Sequence, residues 1–147
     1  MYIKFEGNLE KVGSYWAVSV PTLDVYSQGK SKKDALSMIQ EAIELLVDQP
    51  HFSVTLTPLS QGHFVVHATK SEHDRYLMAL MLKNQRAKYG LSLTQVAERL
   101  GISKNAYAQY EHARAIPSIA KVEEFVHAMS NHHVHVVLGV VGEALAA

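Results

Sequence analysis

The hydrophobic period of the chain changes near residues 69–74, and this change constrains the fold more than any other feature. Before it, short apolar stretches alternate with polar residues, as in "YWAVSV", "DVYSQG", "HFSVTLTPL" and "GHFVVHAT". That alternation is typical of strands with one buried face. After it, apolar residues recur at helical spacing, as in "RYLMALMLKNQRAKYG" and "SIAKVEEFVHAMS". The sequence therefore predicts an α+β chain, with a sheet module followed by an all-helical one.

The sheet module is predicted to run in the order β-β-β-α-β-β. Gly7 to Ser14 is rich in Gly, Asn and charge and indicates a hairpin turn. Ser31 with Asp34 resembles a capping box and begins the helix, which Pro50 ends. The helix should bury one apolar face and cover one side of a small antiparallel sheet. That face is formed by Leu36, Ile39, Ile43 and Leu46.

Composition excludes several classes of protein and site. The chain has 147 residues and no cysteine, which rules out disulfides, thiolate zinc sites and a cysteine nucleophile. Acidic and basic residues balance, so net charge alone does not indicate nucleic acid. The start, "MYIKFEGNLE", does not resemble a secretory signal, and the longest apolar stretch, "VHVVLGVV", is too short to span a bilayer. We expect a cytoplasmic protein with no membrane contact.

The stretch "LTQVAERLGISKNAYAQYEHARAIPS" carries the most specific signal. It has the parts of a helix-turn-helix, which needs two short helices joined by a tight turn. Thr94 is predicted to cap the first helix and Ser103 the second, while Ala97 allows the helices to cross closely. Gly101 provides the left-handed turn residue, and Ile102 is predicted to fill the core between the helices.

Residues Leu82 to Ser130 resemble the Cro/CI-type helix-turn-helix of phage repressors. The resemblance implies an ion pair between Arg86 and Glu111 and binding to operator DNA. Tyr107 is either a core residue or a phosphate contact through its hydroxyl. Lys suits guanine edges, and Asn and Gln suit adenine edges. The implied contacts are phosphate for Gln95 and Ser103, and base edges for Lys104, Asn105 and Gln109.

Residues 1–70 resemble the sheet domain of the HicB antitoxins, a truncated ribonuclease H fold. The matching residues are Tyr15, Trp16, Pro21, Gly29, Ala35, Glu41, Ala42 and Ile43. The resemblance implies a type II antitoxin that binds a small basic HicA-like RNA-cleaving toxin and represses its own operon. Glu6, Trp16 and Asp24 are the toxin-contact candidates, although core packing is the favoured role of Trp16.

We expect no enzymatic activity, because the strands carry too few carboxylates for two-metal nuclease chemistry. No catalytic residue, cofactor or metal site is therefore predicted. The main alternative is a stand-alone repressor whose N-terminal domain oligomerises or senses a ligand. A further alternative is a protein-interaction module whose helix-turn-helix no longer binds DNA.

The sequence predicts that the chain divides into three segments. They are a toxin-binding domain at 1–70, a DNA-binding domain at 74–131 and a terminal strand at 132–147. An unpaired strand exposes backbone groups, so this strand should pair with its copy in a homodimer, or with the N-terminal sheet.

His132, His133 and His135 are interpreted as surface or interface residues, because only His133 and His135 share a strand face. If they lie in a dimer interface, mild acid should weaken the dimer.

Overall fold

The structure is a computed structural model that describes residues 3–135. Two short 3-10 turns lie at Pro21–Leu23 and Ser71–His73. The strands in this range are β1 (Phe5–Val12), β2 (Tyr15–Val20), β3 (Val25–Gly29), β4 (Val54–Pro58) and β5 (His63–Ala68). The α-helices are α1 (Lys32–Val47), α2 (Asp74–Lys88), α3 (Leu93–Leu100), α4 (Lys104–Glu111) and α5 (Ile119–Ser130). The predicted α+β class and the β-β-β-α-β-β order are both confirmed.

The five strands form one antiparallel sheet in the order β3-β2-β1-β5-β4. Its register places Asn8 of β1 opposite Ser19 of β2 and His63 of β5. Side chains alternate between the two faces, as in any strand. One face packs on α1 and carries the buried residues Phe5, Val18, Val20, Val25, Phe64 and Val66. The opposite face has no covering element among the described residues, and most of its polar side chains are exposed.

The predicted turn at Gly7 to Ser14 is wrong over most of its length, because β1 continues to Val12 and the chain reverses at Gly13 and Ser14. Asn8 and Glu10, two of the polar residues that suggested a loop, lie on the open face of the sheet. Gly7 has a packing role on the covered face, where an added Cβ would lie 2.2 Å from the ring of Phe64. Gly13 has a φ of 60°, which suits the reversal.

Helix α1 begins after Ser31, whose hydroxyl accepts from the Asp34 N–H at 3.0 Å. The Asp34 carboxylate accepts from the Lys30 N–H, one residue before the cap, so the capping box is close to the expected form but shifted. The buried stripe runs through Ala35, Ile39 and Ile43.

Leu46 was predicted to lie in the apolar face of α1, but it is 52% exposed. Leu46 shares the angular position of that stripe but lies in the last turn of α1, where it lines a cleft with Tyr76 and Ala79 of α2. At the other end of the helix the chain packs closely, since a Cβ on Gly29 would lie 2.3 Å from the Ala35 nitrogen.

Helix α2 connects the sheet to the helical module. Leu77, Leu80 and Leu82 are buried, and they belong to one hydrophobic cluster that includes side chains from both modules. Asn84 Nδ2 donates to the Leu23 carbonyl and Gln85 Nε2 to the Thr22 carbonyl, each at 2.9 Å. The predicted boundary at 69–74 contains the Ser71–His73 turn, but the core continues across it.

Asp74, the first residue of α2, is 2% exposed and accepts from the Ile3 N–H at 3.0 Å. Burial raises the pKa of its carboxyl group above the ordinary value. One carboxylate oxygen, Oδ1, has no hydrogen-bond partner among the described residues. Asp74 therefore ties the start of the helical module to the segment that enters β1, at an electrostatic cost.

Most of the strand predicted at 132–147 lies outside the described residues. Residues 132–135, which are described, form neither helix nor strand. The His133 ring is hydrogen bonded to Glu123 and stacks on His127, with ring centroids 4.9 Å apart. The hydrogen bonds from His133 and from the Val134 N–H lower the pKa of the Glu123 carboxyl group.

Within residues 3–135, no helix has the length and apolar character needed to cross a membrane. Over the same range, His, Asp and Glu side chains do not gather in groups of three or more that could hold a metal ion.

Candidate nucleic-acid interface

Helix α3 is capped by Ser92, and the prediction that Thr94 caps it is wrong. The Ser92 hydroxyl accepts from the Gln95 N–H at 3.1 Å, and Gln95 Oε1 accepts from the Ser92 N–H at 2.8 Å. This is a complete capping box. Thr94 is exposed in the first turn of the helix. The capping oxygen of Gln95 faces the backbone, which leaves its amide nitrogen as a donor for a phosphate.

The turn between α3 and α4 has the predicted backbone but not the predicted core residue. Gly101 has a φ of 69°, and the Ser103 hydroxyl accepts from the Ala106 N–H at 3.1 Å. Ala97 is buried where the helices cross. Ile102, predicted to fill the core, is 40% exposed. Its N–H donates to the Ala97 carbonyl to close the turn, while Val96 and the larger Tyr107 fill the space between the helices.

Arg86 and Glu111 form the contact that the resemblance implies. Arg86 Nη2 lies 2.8 Å from Glu111 Oε1, and Nε lies 2.9 Å from Oε2. The guanidinium therefore makes a bidentate pair with the carboxylate. A third donor, Nη1, binds the Leu91 carbonyl at 2.9 Å. Hydrogen bonding to Glu111 raises the pKa of Arg86. These bonds fasten the last turn of α4 to α2 and to the loop before α3.

Tyr107 is fully buried, so the prediction that it contacts DNA is wrong and the core alternative holds. Its ring packs edge-on against Phe125 with centroids 5.3 Å apart. Burial raises the pKa of the Tyr107 hydroxyl, and the nearby Glu111 carboxylate adds to the effect. The hydroxyl has no hydrogen-bond partner among the described residues.

The outward surface of α4 carries the predicted base-edge candidates. Lys104, Asn105 and Gln109 are all exposed, and Asn105 and Gln109 are four residues apart on one helix face. Sequence reasoning missed Ala106, which is also exposed and lies between them. Its methyl group could meet a thymine methyl in the major groove. No sequence signal singled out Ala106, because an alanine suits either the core or the surface of a helix, as the buried Ala108 two residues later shows.

The comparison with protein families matches residues 82–130 to a family described as helix-turn-helix. Residues 82–130 contain a helix-turn-helix domain. The match begins in α2 and extends through α5, so it includes the Arg86–Glu111 pair and the exposed surface of α4. It supports a role in DNA-binding transcription regulation. No curated protein matches the chain.

The three toxin-contact candidates do not converge. Glu6 is exposed on the open face of the sheet. Asp24 follows the Pro21–Leu23 turn with a φ of 56° and is partly buried. Trp16 lies at the opposite end of the sheet on the covered face, where Lys32 Nζ is 5.0 Å from its ring. Trp16 therefore packs at the edge of the core and does not share a surface with Glu6.

Proposed function

We propose that this protein is a DNA-binding antitoxin of a type II toxin–antitoxin system. In this proposal, α4 reads operator DNA to repress the protein's own operon, and the sheet module binds a small basic HicA-like toxin that cleaves mRNA. The single observation that carries the DNA half is the exposed polar surface of α4, held by the Arg86–Glu111 pair within a matched helix-turn-helix domain.

Base recognition should depend on the outward side chains of α4. Replacing Lys104, Asn105 or Gln109 by alanine is expected to cost ~1–3 kcal/mol of operator binding each and to relax specificity at one base pair. The measurement is the affinity for the protein's own promoter and for a random duplex, at several salt concentrations. Equal affinity of the parent for both duplexes would reject specific recognition.

Phosphate contact by Gln95 can be separated from its role as a cap. Gln95→Glu keeps an acceptor for the Ser92 N–H but removes the amide donor and adds a negative charge near the DNA. It should weaken binding to operator and random DNA alike while the helix content stays unchanged. Thr94→Ala is the matched control on the same helix turn, because the Thr94 side chain does not cap.

The open face of the sheet supports the toxin half of the proposal. Its strand positions carry two carboxylates, Glu6 and Glu10, and neither Lys nor Arg among the described residues. Exposed Tyr26 and Tyr15 lie on the same face and offer aromatic area for an interface. A toxin that grips RNA presents positive charge, which such a surface complements.

The test of this half is to express the protein with its native flanking genes and identify what co-purifies. A small basic protein in stoichiometric amount is expected. Glu6→Lys with Glu10→Lys should release it, whereas Glu41→Lys, an equal charge change on the exposed side of α1, should not. If the protein purifies alone but still retards its promoter, the toxin half fails.

The alternative is a stand-alone repressor whose N-terminal module oligomerises or senses a ligand. A cleft of about 230 Å³ between the end of α1, α2 and the turn after α4 is where a small ligand would contact both modules. The cleft is lined by Leu46, Tyr76, Lys83, Glu111 and His112, among others. Purification without a partner protein, together with a small molecule that changes promoter affinity, would select this alternative.

A homodimer forms part of the proposal, because two recognition helices about one DNA turn apart would read a palindromic site. The described residues do not include most of the segment predicted to pair. Truncation after His135 should therefore shift the protein toward monomer and reduce operator affinity, as sedimentation velocity and a promoter-binding assay would measure.

A further inference from the structure

A lysine and a tyrosine from different helices meet at the flank of the recognition helix. Lys121 lies in the first turn of α5, and its Nζ donates to Tyr110 Oη of α4 at 2.8 Å. The ammonium group lies 5.4 Å from the centre of the tyrosine ring. The ring itself is half-buried and packs on Phe125 with centroids 5.1 Å apart. Packing on Phe125 thus fixes the Tyr110 ring, and the hydrogen bond to Tyr110 fixes the Lys121 ammonium group.

The pair presents positive charge that no carboxylate neutralises at contact distance. Among residues 3–135, the salt bridges of Lys or Arg side chains do not include Lys121. Its hydrogen bond to Tyr110 raises the pKa of the ammonium group, and the more distant Glu124 adds a smaller effect. Lys121 is exposed, so solvent or a ligand can reach its ammonium group.

The hydrogen-bond arrangement leaves two donors side by side. The Tyr110 oxygen accepts from Lys121, so its own O–H remains free to donate. An ammonium group has three N–H donors, of which Tyr110 uses one. Two free donors on atoms 2.8 Å apart suit an anion with two adjacent oxygens. A phosphodiester in a DNA backbone has this chemistry, and Lys and Tyr are among the side chains that bind it.

The position of the pair matches that ligand. Tyr110 follows Gln109 and lies one helical turn after Ala106, so it borders the exposed surface of α4. Ser103, a phosphate contact implied by resemblance, caps the other end of α4. We propose that Tyr110 and Lys121 together bind a backbone phosphate and fix the C-terminal end of the recognition helix on DNA. This inference rests on the proposed DNA-binding function.

The test compares Lys121→Gln, Tyr110→Phe and the double variant with the parent on promoter DNA and on a random duplex. Each single variant removes one donor to the phosphate, so its affinity for both duplexes should fall about tenfold. Lys121→Gln should also reduce the slope of log affinity against log salt by about 0.9 for each protomer bound, the value for one phosphate. Tyr110→Phe should leave that slope unchanged.

The double variant should lose less than the product of the two single losses, because each side chain orients the other. Lys33→Gln, on an exposed turn of α1, removes the same charge far from α4 and should change neither affinity nor slope. Tyr110→Phe keeps the ring on Phe125, so its circular dichroism should match that of the parent.

Two results would overturn the inference while the proposed function stands. One is a Lys121→Gln variant with the parental salt slope and affinity within about twofold. The other is a loss confined to promoter DNA, which indicates a base contact. If the parent binds neither duplex, the DNA-binding function itself fails, and the phosphate site fails with it.

Discussion

At the residue scale, the contacts that matter most are made by charged side chains removed from water. Glu111 has a side chain only 2% exposed, and Arg86 supplies the charge that makes this burial tolerable. A buried ion pair can contribute little net stability and still be costly to break, since the remaining partner is left buried and unpaired. The pair fixes the position of the last turn of α4. The exposed side chains of the same helix are therefore held in place as well.

Arg86→Ala should therefore destabilise the protein by about 3–5 kcal/mol, measured by chemical denaturation. Replacing both partners, Arg86→Met with Glu111→Leu, should recover much of that loss because no buried charge remains. A cost below about 1 kcal/mol for Arg86→Ala would place the pair among ordinary surface ion pairs.

Asp74 gives a pH-dependent prediction at the same scale. Its pKa is raised in the folded protein, so its contribution to stability is full below the unfolded-state pKa and is lost as pH rises through the folded-state pKa. Asp74→Asn keeps an oxygen to accept from Ile3 but cannot ionise. The stability of the Asn variant relative to the parent should increase from acidic to neutral pH, as denaturation at several pH values would show. A difference that stays constant with pH would contradict the assignment.

Asp74→Ala should instead destabilise the protein at every pH, by ~1–3 kcal/mol, because the Ile3 N–H loses its partner. The two substitutions at one position thus separate the cost of a buried charge from the benefit of the hydrogen bond.

At the element scale, the helix boundaries follow from local capping more than from hydrophobic spacing. Ser31, Ser103 and Ser118 each accept a backbone N–H at the start of a helix, and Ser92 completes a box with Gln95. The error at Thr94 arose because two hydroxyl residues lie within three positions in "SLT". Sequence alone does not say which of them has the extended backbone of a cap.

The structure makes the choice testable. Ser92→Ala should cost about 1 kcal/mol of stability, whereas Thr94→Ala should change stability by less than about 0.5 kcal/mol. Thermal or chemical unfolding of both variants provides the measurement. The reverse order of effects would restore Thr94 as the cap.

At the scale of the whole molecule, α2 joins the two modules into one packed unit. It contributes buried leucines to the common core, and its Asn84 and Gln85 side chains bind the turn between β2 and β3. The next residue, Arg86, holds the recognition helix. Three consecutive residues thus connect the sheet module to α4.

The chain should consequently unfold in one transition. Trp16, the only tryptophan, reports on the sheet module by fluorescence, and far-ultraviolet circular dichroism reports mainly on the helices. Their denaturation curves should coincide. Asn84→Ala with Gln85→Ala should shift both curves together. Two separate transitions in the parent would mean that the modules are stable independently.

The sequence by itself determined the features that depend on neighbours along the chain. Alternation and helical spacing predicted the element types and their order, and Gly101 and Ser103 predicted the helix-turn-helix bend. Only the tertiary structure decided which side of an element is buried. Leu46 and Ile102 are apolar but exposed, while polar Asp74 and the hydroxyl-bearing Tyr107 are buried. The physical reason is that burial depends on contacts between segments far apart in sequence, such as Ile3 with Asp74, Leu23 with Asn84, and Arg86 with Glu111.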